Sequence, residues 1–210
     1  LESRREKKIV RFTDGRTPLQ LAEEKKLIPN SFAAPCSHFL KQVPFRNFLE
    51  SHDKPVTVHL GLDFTEQHRH GKPKEIYEGI EGVSVDFPLM WKPYAYMGYQ
   101  KVVEEWGIKP PRLYSYGFPH NNCGGRCVRQ GASEWIRLLK HFPERFKEVR
   151  DWEKSYQTPG TPRENRTILK QSVGGKPEPL SLIDLENQNK TTQIDMFTYQ
   201  GDEFGCFCEY

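Results

Sequence analysis

Residues 55–64, PVTVHLGLDF, are the stretch of sequence that decides the fold class. Val56, Val58, Leu60 and Leu62 recur at every second position, so their side chains share one face of an extended chain. A run of this length and period predicts a β-strand with one buried face. It is the clearest strand signal in the sequence, and the other elements are placed around it.

The sequence that follows alternates between strand and helix signals. A polar loop over residues 65–74 leads to GVSVDFPL at 82–89, a second short strand, and YAYMGYQKVVEEWG at 94–107 carries a helical stripe closed by Gly107. This alternation predicts an α/β protein, in which helices flank a mostly parallel sheet.

Further helices are predicted on both sides of this region. Thr17, Pro18 and Gln20 form a capping box that starts a helix running from Pro18 to about Lys26. Residues 38–50 have helical spacing with a bend at Pro44, and Pro143 separates two later helices. The apolar stripes of these later helices are Trp135, Leu138, Leu139 and Phe142, then Phe146, Val149 and Trp152.

The C-terminal part of the chain shows no periodicity. Residues 157–176 are rich in Pro, Gly, Thr and Arg and predict an exposed connector. SVGGKPEPL at 172–180 resembles a phosphate-binding glycine loop only superficially, since no strand precedes it, and is interpreted as a turn. The predicted organisation is a domain at 1–156, then a connector and an irregular cysteine-bearing tail at 157–210 that packs back on it.

The composition describes a water-soluble chain. It has 210 residues, a formal net charge of +3 and a mean hydropathy of −0.76. No apolar run approaches the roughly 18 residues of a membrane helix, so we expect no membrane partner and a cytoplasmic location. In a reducing compartment, five cysteines favour metal or redox chemistry over disulfides. The sequence leaves the oligomeric state open.

The cysteines lie in three groups. Cys123 and Cys127 flank two glycines in HNNCGGRCV, Cys36 stands in APCSHFLK, and Cys206 and Cys208 stand in FGCFCEY at the end. The glycines allow a tight turn that points both sulfurs of HNNCGGRCV at one place. A four-cysteine set suits structural zinc or an iron–sulfur cluster. The alternative is that these thiols are small buried hydrophobes.

A second candidate site follows the first strand in GLDFTEQHR. Ligands bind beyond the carboxyl ends of strands in open α/β sheets, where Asp63, Glu66 and Arg69 would lie, and Arg69 could clamp a phosphate or sulfate. A solvated loop with a local ion pair is the interpretation favoured by position alone.

Taken in order, several motifs resemble the phosphoadenosine-phosphosulfate (PAPS) reductase-like branch of the PP-loop, or adenine nucleotide alpha hydrolase-like, superfamily. They are DGRTPLQLAEEKKLIPNSFAAPCSHFLK, HLGLDFTEQHR, GIKPPRLYSYGFPHNNCGGRCVRQG, LLKHFPERF and FGCFCEY, and they span about residue 11 to the C-terminus. The resemblance implies a Rossmann-like sheet, mostly parallel and flanked by helices, that binds ATP or a PAPS-like adenine nucleotide.

The resemblance also implies roles for single residues. Cys36, five residues before Lys41, would help bind a [4Fe–4S] cluster beside the anionic end of the nucleotide. Cys123, Cys127 and a tail cysteine would complete the ligand set, with Cys206 preferred and Cys208 as the alternative. Lys41 and Arg69 would neutralise charge on the phosphates or sulfate and so act in catalysis, and zinc is the alternative metal.

One departure from the family is large. The phosphate loop of the family, Ser-Gly-Gly-x-Asp/Ser after the first strand, is absent. We expect that an N-terminal part of the domain is missing from this chain, is supplied in trans or is lost. The function that the resemblance implies is sulfur transfer or nucleotide-activated thiolation, with the sulfur donor and acceptor undefined.

The alternative to an enzyme is a non-catalytic iron–sulfur or zinc module in a larger complex, touching tRNA or DNA. Arg126, Arg129, Arg137 and Lys140 could offer an anion-binding face to such a partner, although a solvated helix face is the favoured interpretation of these charges.

Overall fold

The fold is known from a computed structural model that describes residues 11–91 and 105–191. The α-helices are α1 (Pro18–Glu24), α2 (Pro35–Ser37), α3 (Val43–Ser51), α4 (Gly71–Glu78), α5 (Ala132–His141), α6 (Pro143–Tyr156) and α7 (Leu182–Thr191). The strands are β1 (Val56–His59), β2 (Val83–Asp86), β3 (Leu169–Val173) and β4 (Lys176–Leu180). A π-helical turn, His38–Gln42, joins α2 to α3.

Strands β1 and β2 form a parallel pair, in which Val56 lies opposite Val83 and His59 opposite Asp86. Helix α4 connects the two strands, so the chain has the strand–helix–strand unit of an α/β protein. The α/β prediction is therefore confirmed. The sheet holds two strands among the described residues.

The first hydrophobic core lies between this sheet and its helices. It is built from the alternating residues of both strands, from α3 and α4, and from the loops that follow. Its buried members are Leu49, Val58, Leu60, Leu62, Tyr77, Ile80, Val83, Val85 and Phe87. Burial of Val58, Leu60 and Leu62 confirms the strand predicted from their spacing.

The second core lies around α5 and α6. Trp135 and Leu138 from α5 and Phe146 and Val149 from α6 are almost completely buried. They pack with residues of the β3–β4 hairpin and of α7, namely Ile168, Leu169, Leu180, Leu182 and Leu185. The part of the chain after residue 156 thus shares a core with the α5–α6 pair.

Residues 157–166 are turns without a buried residue, as an exposed connector predicts, but the prediction is wrong for residues 169–191. Residues 169–180 form an antiparallel hairpin and 182–191 form a helix, where an exposed connector and an irregular tail were expected. Only Gly174 and Gly175 make the turn, both with positive φ (57° and 78°), as a two-residue hairpin turn requires. Among the described residues β4 pairs with β3 alone, so its prolines can turn their nitrogens away from β3 and leave the ladder intact.

The predicted loop over residues 65–74 is also more ordered than expected. Phe64–Arg69 forms a 3₁₀-helix, and α4 begins at Gly71. The capping box at Thr17 is confirmed, since Gln20 N–H donates to Thr17 Oγ1 and Thr17 N–H donates to Gln20 Oε1. The helix predicted over 94–107 lies largely outside the described residues. No helix in the described ranges is long and apolar enough to cross a membrane.

Candidate functional site

The HNNCGGRCV motif forms a left-handed turn that presents Cys123 at the surface. Cys123, Gly124 and Gly125 have φ values of 50°, 62° and 85°, a run that a chain without glycine would not adopt. A Cβ atom at Gly125 would lie 2.9 Å from Leu138 Cδ1 and clash with it. The glycines are therefore required for both the backbone shape and the close approach to α5.

Two side chains fix this turn from outside. Arg145 Nη1 donates to the Gly124 carbonyl at 2.9 Å, and Gln130 Nε2 donates to the Gly125 carbonyl at 2.8 Å. Arg126 pairs with Glu148 on α6. The turn is consequently anchored to α6, while Cys123 itself is exposed.

Cys36 lies in the first turn of α2, where Pro35 occupies the first helical position. Burial raises the pKa of the Cys36 thiol, and the neighbouring Cys123 thiol raises it further. The Ser37 backbone N–H and the Lys41 ammonium group act in the opposite direction. Cys36, Cys123 and Lys41 are thus close enough to interact electrostatically, although they come from distant parts of the sequence.

Cys127 has a different environment. It is 8% exposed and lines a cleft of about 570 Å³ between the HNNCGGRCV loop, the start of α5 and the β3–β4 hairpin. Among residues 11–91 and 105–191, no three His, Cys, Asp or Glu side chains form a group that could hold a metal ion. The described residues thus bring two of the predicted thiol ligands together and leave the third apart.

Cys206 and Cys208, the tail cysteines, lie outside the described residues.

Asp63, Glu66 and Arg69 do lie beyond the carboxyl end of β1, as predicted. Asp63 caps the 3₁₀-helix: its Oδ1 accepts from Thr65 N–H at 2.7 Å and from Glu66 N–H at 3.2 Å. Arg69 lies one turn after Glu66 and forms an ion pair with it. These contacts match the local ion pair of the alternative interpretation, and they give each of the three side chains a structural role.

The predicted basic face is partly neutralised. Arg126 is paired with Glu148, and Arg137 lies 3.9 Å from Glu134 and packs over the Phe118 ring. Arg129 lines a second cleft with Lys72 and His38, and sequence reasoning missed this grouping.

Sequence reasoning also missed Glu153. This carboxylate is 1% exposed and accepts hydrogen bonds from the backbone N–H groups of Ile168 and Leu182, both at 2.7 Å. Its position four residues after Val149 on the buried stripe of α6 was the available signal. It joins α6 to the hairpin and to the start of α7.

Comparison with known proteins gives no assignment. No protein-family model matches the chain, and no curated protein or solved structure is significantly similar to it.

Proposed function

We propose that this chain is a sulfur-handling enzyme of the PAPS reductase-like branch of the PP-loop superfamily. It would use an adenine nucleotide and a cysteine-bound metal centre, a [4Fe–4S] cluster in preference to zinc, on a Rossmann-like sheet of which β1 and β2 form part. The observation that supports the proposal is that the Cys123 thiol and the Lys41 ammonium group both act on the pKa of the Cys36 thiol. Two thiols from distant loops, one exposed and one half-buried, are a donor set suited to metal.

The fit to a four-cysteine centre covers half of the ligand set. Cys36 and Cys123 would hold the metal from α2 and from the left-handed turn, respectively. Cys206, or Cys208 as the alternative, would have to come from the tail, and Cys127 would have to turn from the larger cleft. When bound, the cluster would supply the redox or Lewis-acid chemistry of sulfur transfer.

Cys36, Lys41 and Arg69 would then set the charge at the metal centre and at the bound substrate. The raised pKa of Cys36 keeps its thiol protonated in metal-free protein, so metal binding requires loss of that proton. Lys41 lowers the same pKa and so favours the thiolate that a metal needs. Its ammonium group would also neutralise an anionic substrate next to the centre. Arg69 would have to leave its ion pair with Glu66 to bind phosphate or sulfate.

A second candidate function is a non-catalytic metal-binding module. The observation that favours it is the engagement of Asp63, Glu66 and Arg69 in contacts with one another and with the local backbone. A site held in this way stabilises the loop after β1 without any ligand. The two candidates share the metal centre and differ in whether a nucleotide binds.

Anaerobic purification followed by iron, sulfide and zinc analysis tests the shared metal centre. The full chain should contain about four iron atoms, as a [4Fe–4S] cluster requires. Cys36→Ser and Cys123→Ser should each lose most of the iron, and Cys208→Ser should keep it because Cys206 is the preferred tail ligand. Stoichiometric zinc without iron would reject the cluster, and full iron in both Cys36→Ser and Cys123→Ser would reject the site.

A further inference from the structure

A cleft of about 460 Å³ lies between α2, the π-helical turn, α4 and the loop after Cys127. Cys36, Cys123 and Cys127 are not among its described lining residues. Among the described residues, its charged or titratable lining consists of His38, Arg46, Lys72 and Arg129, with no Asp or Glu. The cleft therefore has a positive electrostatic potential suited to an anionic ligand.

Two arginines of this basic cleft, Arg129 and Arg46, can turn to a ligand. Arg129 makes no ion pair or hydrogen bond within residues 11–91 and 105–191. Arg46 pairs with Glu50 at 2.8 Å, but both side chains are about half exposed (53% and 49%), and a surface pair of this kind contributes little. A phosphate can displace such a carboxylate at low cost.

Phe32 stands at the rim of the basic cleft and is 77% exposed, more than any other large hydrophobic side chain among the described residues. Asn30 holds it there, because Asn30 Oδ1 accepts from the N–H groups of Phe32 and Ala33, both at 2.9 Å. Lys170 Nζ lies 5.5 Å from the centre of the Phe32 ring. The Asn30 turn thus holds the Phe32 ring in solvent next to a cation, where a second ring can stack on it.

Phe32 and Arg129 also line the larger cleft of about 570 Å³, so the two clefts meet at these side chains. Lys170 adds a cation to the larger cleft. Glu134 is the one carboxylate among its described lining residues, and that group already accepts from Gly131 N–H at 2.9 Å and from Ser133 Oγ at 3.0 Å. The joined clefts therefore form one path along which positive charge lies on both sides of an exposed aromatic ring.

We propose that this path binds a single-stranded nucleic acid. One base stacks on Phe32, and the flanking phosphates bind Arg129 on one side and Lys170 on the other. Aromatic side chains between basic grooves are the usual device for single strands, since every base has a face that can stack. A duplex keeps its bases stacked on each other, and an acidic peptide has no group that needs Phe32.

Fluorescence anisotropy tests this inference on the full chain. The probes are labelled oligo(dT) and oligo(rU) of about ten nucleotides, within the range of known single-strand sites. The competitors are an abasic phosphodiester of equal length and a poly-glutamate of equal charge. We expect saturable binding that weakens as salt rises, with the abasic strand and the poly-glutamate at least about fivefold weaker than the oligonucleotide. Tighter binding of one oligonucleotide identifies the preferred sugar.

Variants separate stacking from charge. Phe32→Ala should weaken binding about fivefold or more, whereas Phe64→Ala, which removes another exposed ring, should leave it unchanged. Arg129→Ala should lower the slope of log K against log salt by about 0.7, the loss of one phosphate contact. Lys154→Ala, an exposed lysine on α6, should keep the slope.

Three results would overturn the inference. They are equal affinity for the abasic strand and the oligonucleotide, wild-type affinity in Phe32→Ala, and equal competition by poly-glutamate. Because binding is measured without iron or activity, its failure would leave the metal centre untouched, and a failed iron analysis would leave the nucleic-acid path untouched.

Discussion

Glu153 offers the sharpest prediction about stability. Its carboxylate is 1% exposed and accepts from Ile168 N–H and Leu182 N–H, both at 2.7 Å. Hydrogen bonds to a charged group contribute about 1.5–3 kcal/mol each, which sets an upper value of about 6 kcal/mol for the pair. Removing the carboxylate also removes the cost of burying it, so we expect Glu153→Ala to lower the free energy of unfolding by about 3–4 kcal/mol.

Urea denaturation followed by circular dichroism measures this loss. The matched control is Asp151→Ala on the same helix. The Asp151 side chain is 63% exposed and pairs with Arg150, so its removal should lower the free energy of unfolding by at most about 1 kcal/mol. Hydrogen exchange should speed up at the amides of Ile168 and Leu182 in Glu153→Gln, because an amide side chain offers one acceptor oxygen in place of two. A loss below about 1 kcal/mol in Glu153→Ala, or unchanged exchange at both amides, would refute the reasoning.

The pH dependence of the same variants gives a second check. Burial raises the pKa of Glu153 above its ordinary value of 4.5, although the two backbone N–H groups act against the shift. The folded protein therefore binds a proton more tightly than the unfolded chain does. The resulting stability is fully present below pH 4.5 and is lost as pH rises through the raised pKa. The difference in free energy of unfolding between wild type and Glu153→Gln should thus widen as pH falls from 7 toward 4.5.

Three further predictions concern the candidate site. In metal-free protein, Cys123→Ser should lower the pKa of the Cys36 thiol, because the Cys123 thiol is one cause of its raised value. The pH midpoint of Cys36 alkylation measures this pKa. An unchanged midpoint would show that the two thiols do not interact. Gly125→Ala should destabilise the fold by about 1–3 kcal/mol in thermal or urea unfolding, since its φ is 85° and the added methyl would meet a leucine at 2.9 Å. Gly174→Ala, at φ 57° in open space, is the control and should cost less, so equal losses would contradict the clash. Arg69→Ala should weaken ATP or PAPS-like nucleotide binding by about 1.5–3 kcal/mol; unchanged calorimetric affinity would exclude Arg69 from the nucleotide site.

The elements that could be predicted are those with a local signal. Val58, Leu60 and Leu62 alternate, and Thr17 with Gln20 forms a cap from four consecutive residues. Each of these patterns depends on the local backbone alone, so the sequence contains all that is needed to recognise it.

The elements that were missed depend on contacts between distant residues. Helix α4 contains Pro73 and few apolar residues, and it is stabilised where Tyr77 packs on the first core, edge to face with Phe45 at 5.5 Å. Strand β4, KPEPL, reads as a loop because of Pro177 and Pro179, whose missing N–H groups cost nothing on a strand with one partner.

The candidate site divides in the same way. The tight turn at Cys123 followed from its glycines, because positive φ is a local property. The different burial of Cys123 and Cys127 could not be predicted from their spacing, because burial depends on how the loop lies against distant parts of the chain. The ion pair between Arg69 and Glu66 was foreseen as the alternative to an anion site.

Anomalous diffraction at the iron edge, from crystals of the anaerobically purified full chain, tests the central claim most directly, since it locates the metal rather than only detecting it. The account predicts an iron peak within bonding distance of the sulfurs of Cys36 and Cys123, with a tail cysteine completing the site. An iron peak away from both sulfurs, or a peak only at the zinc edge, would contradict it.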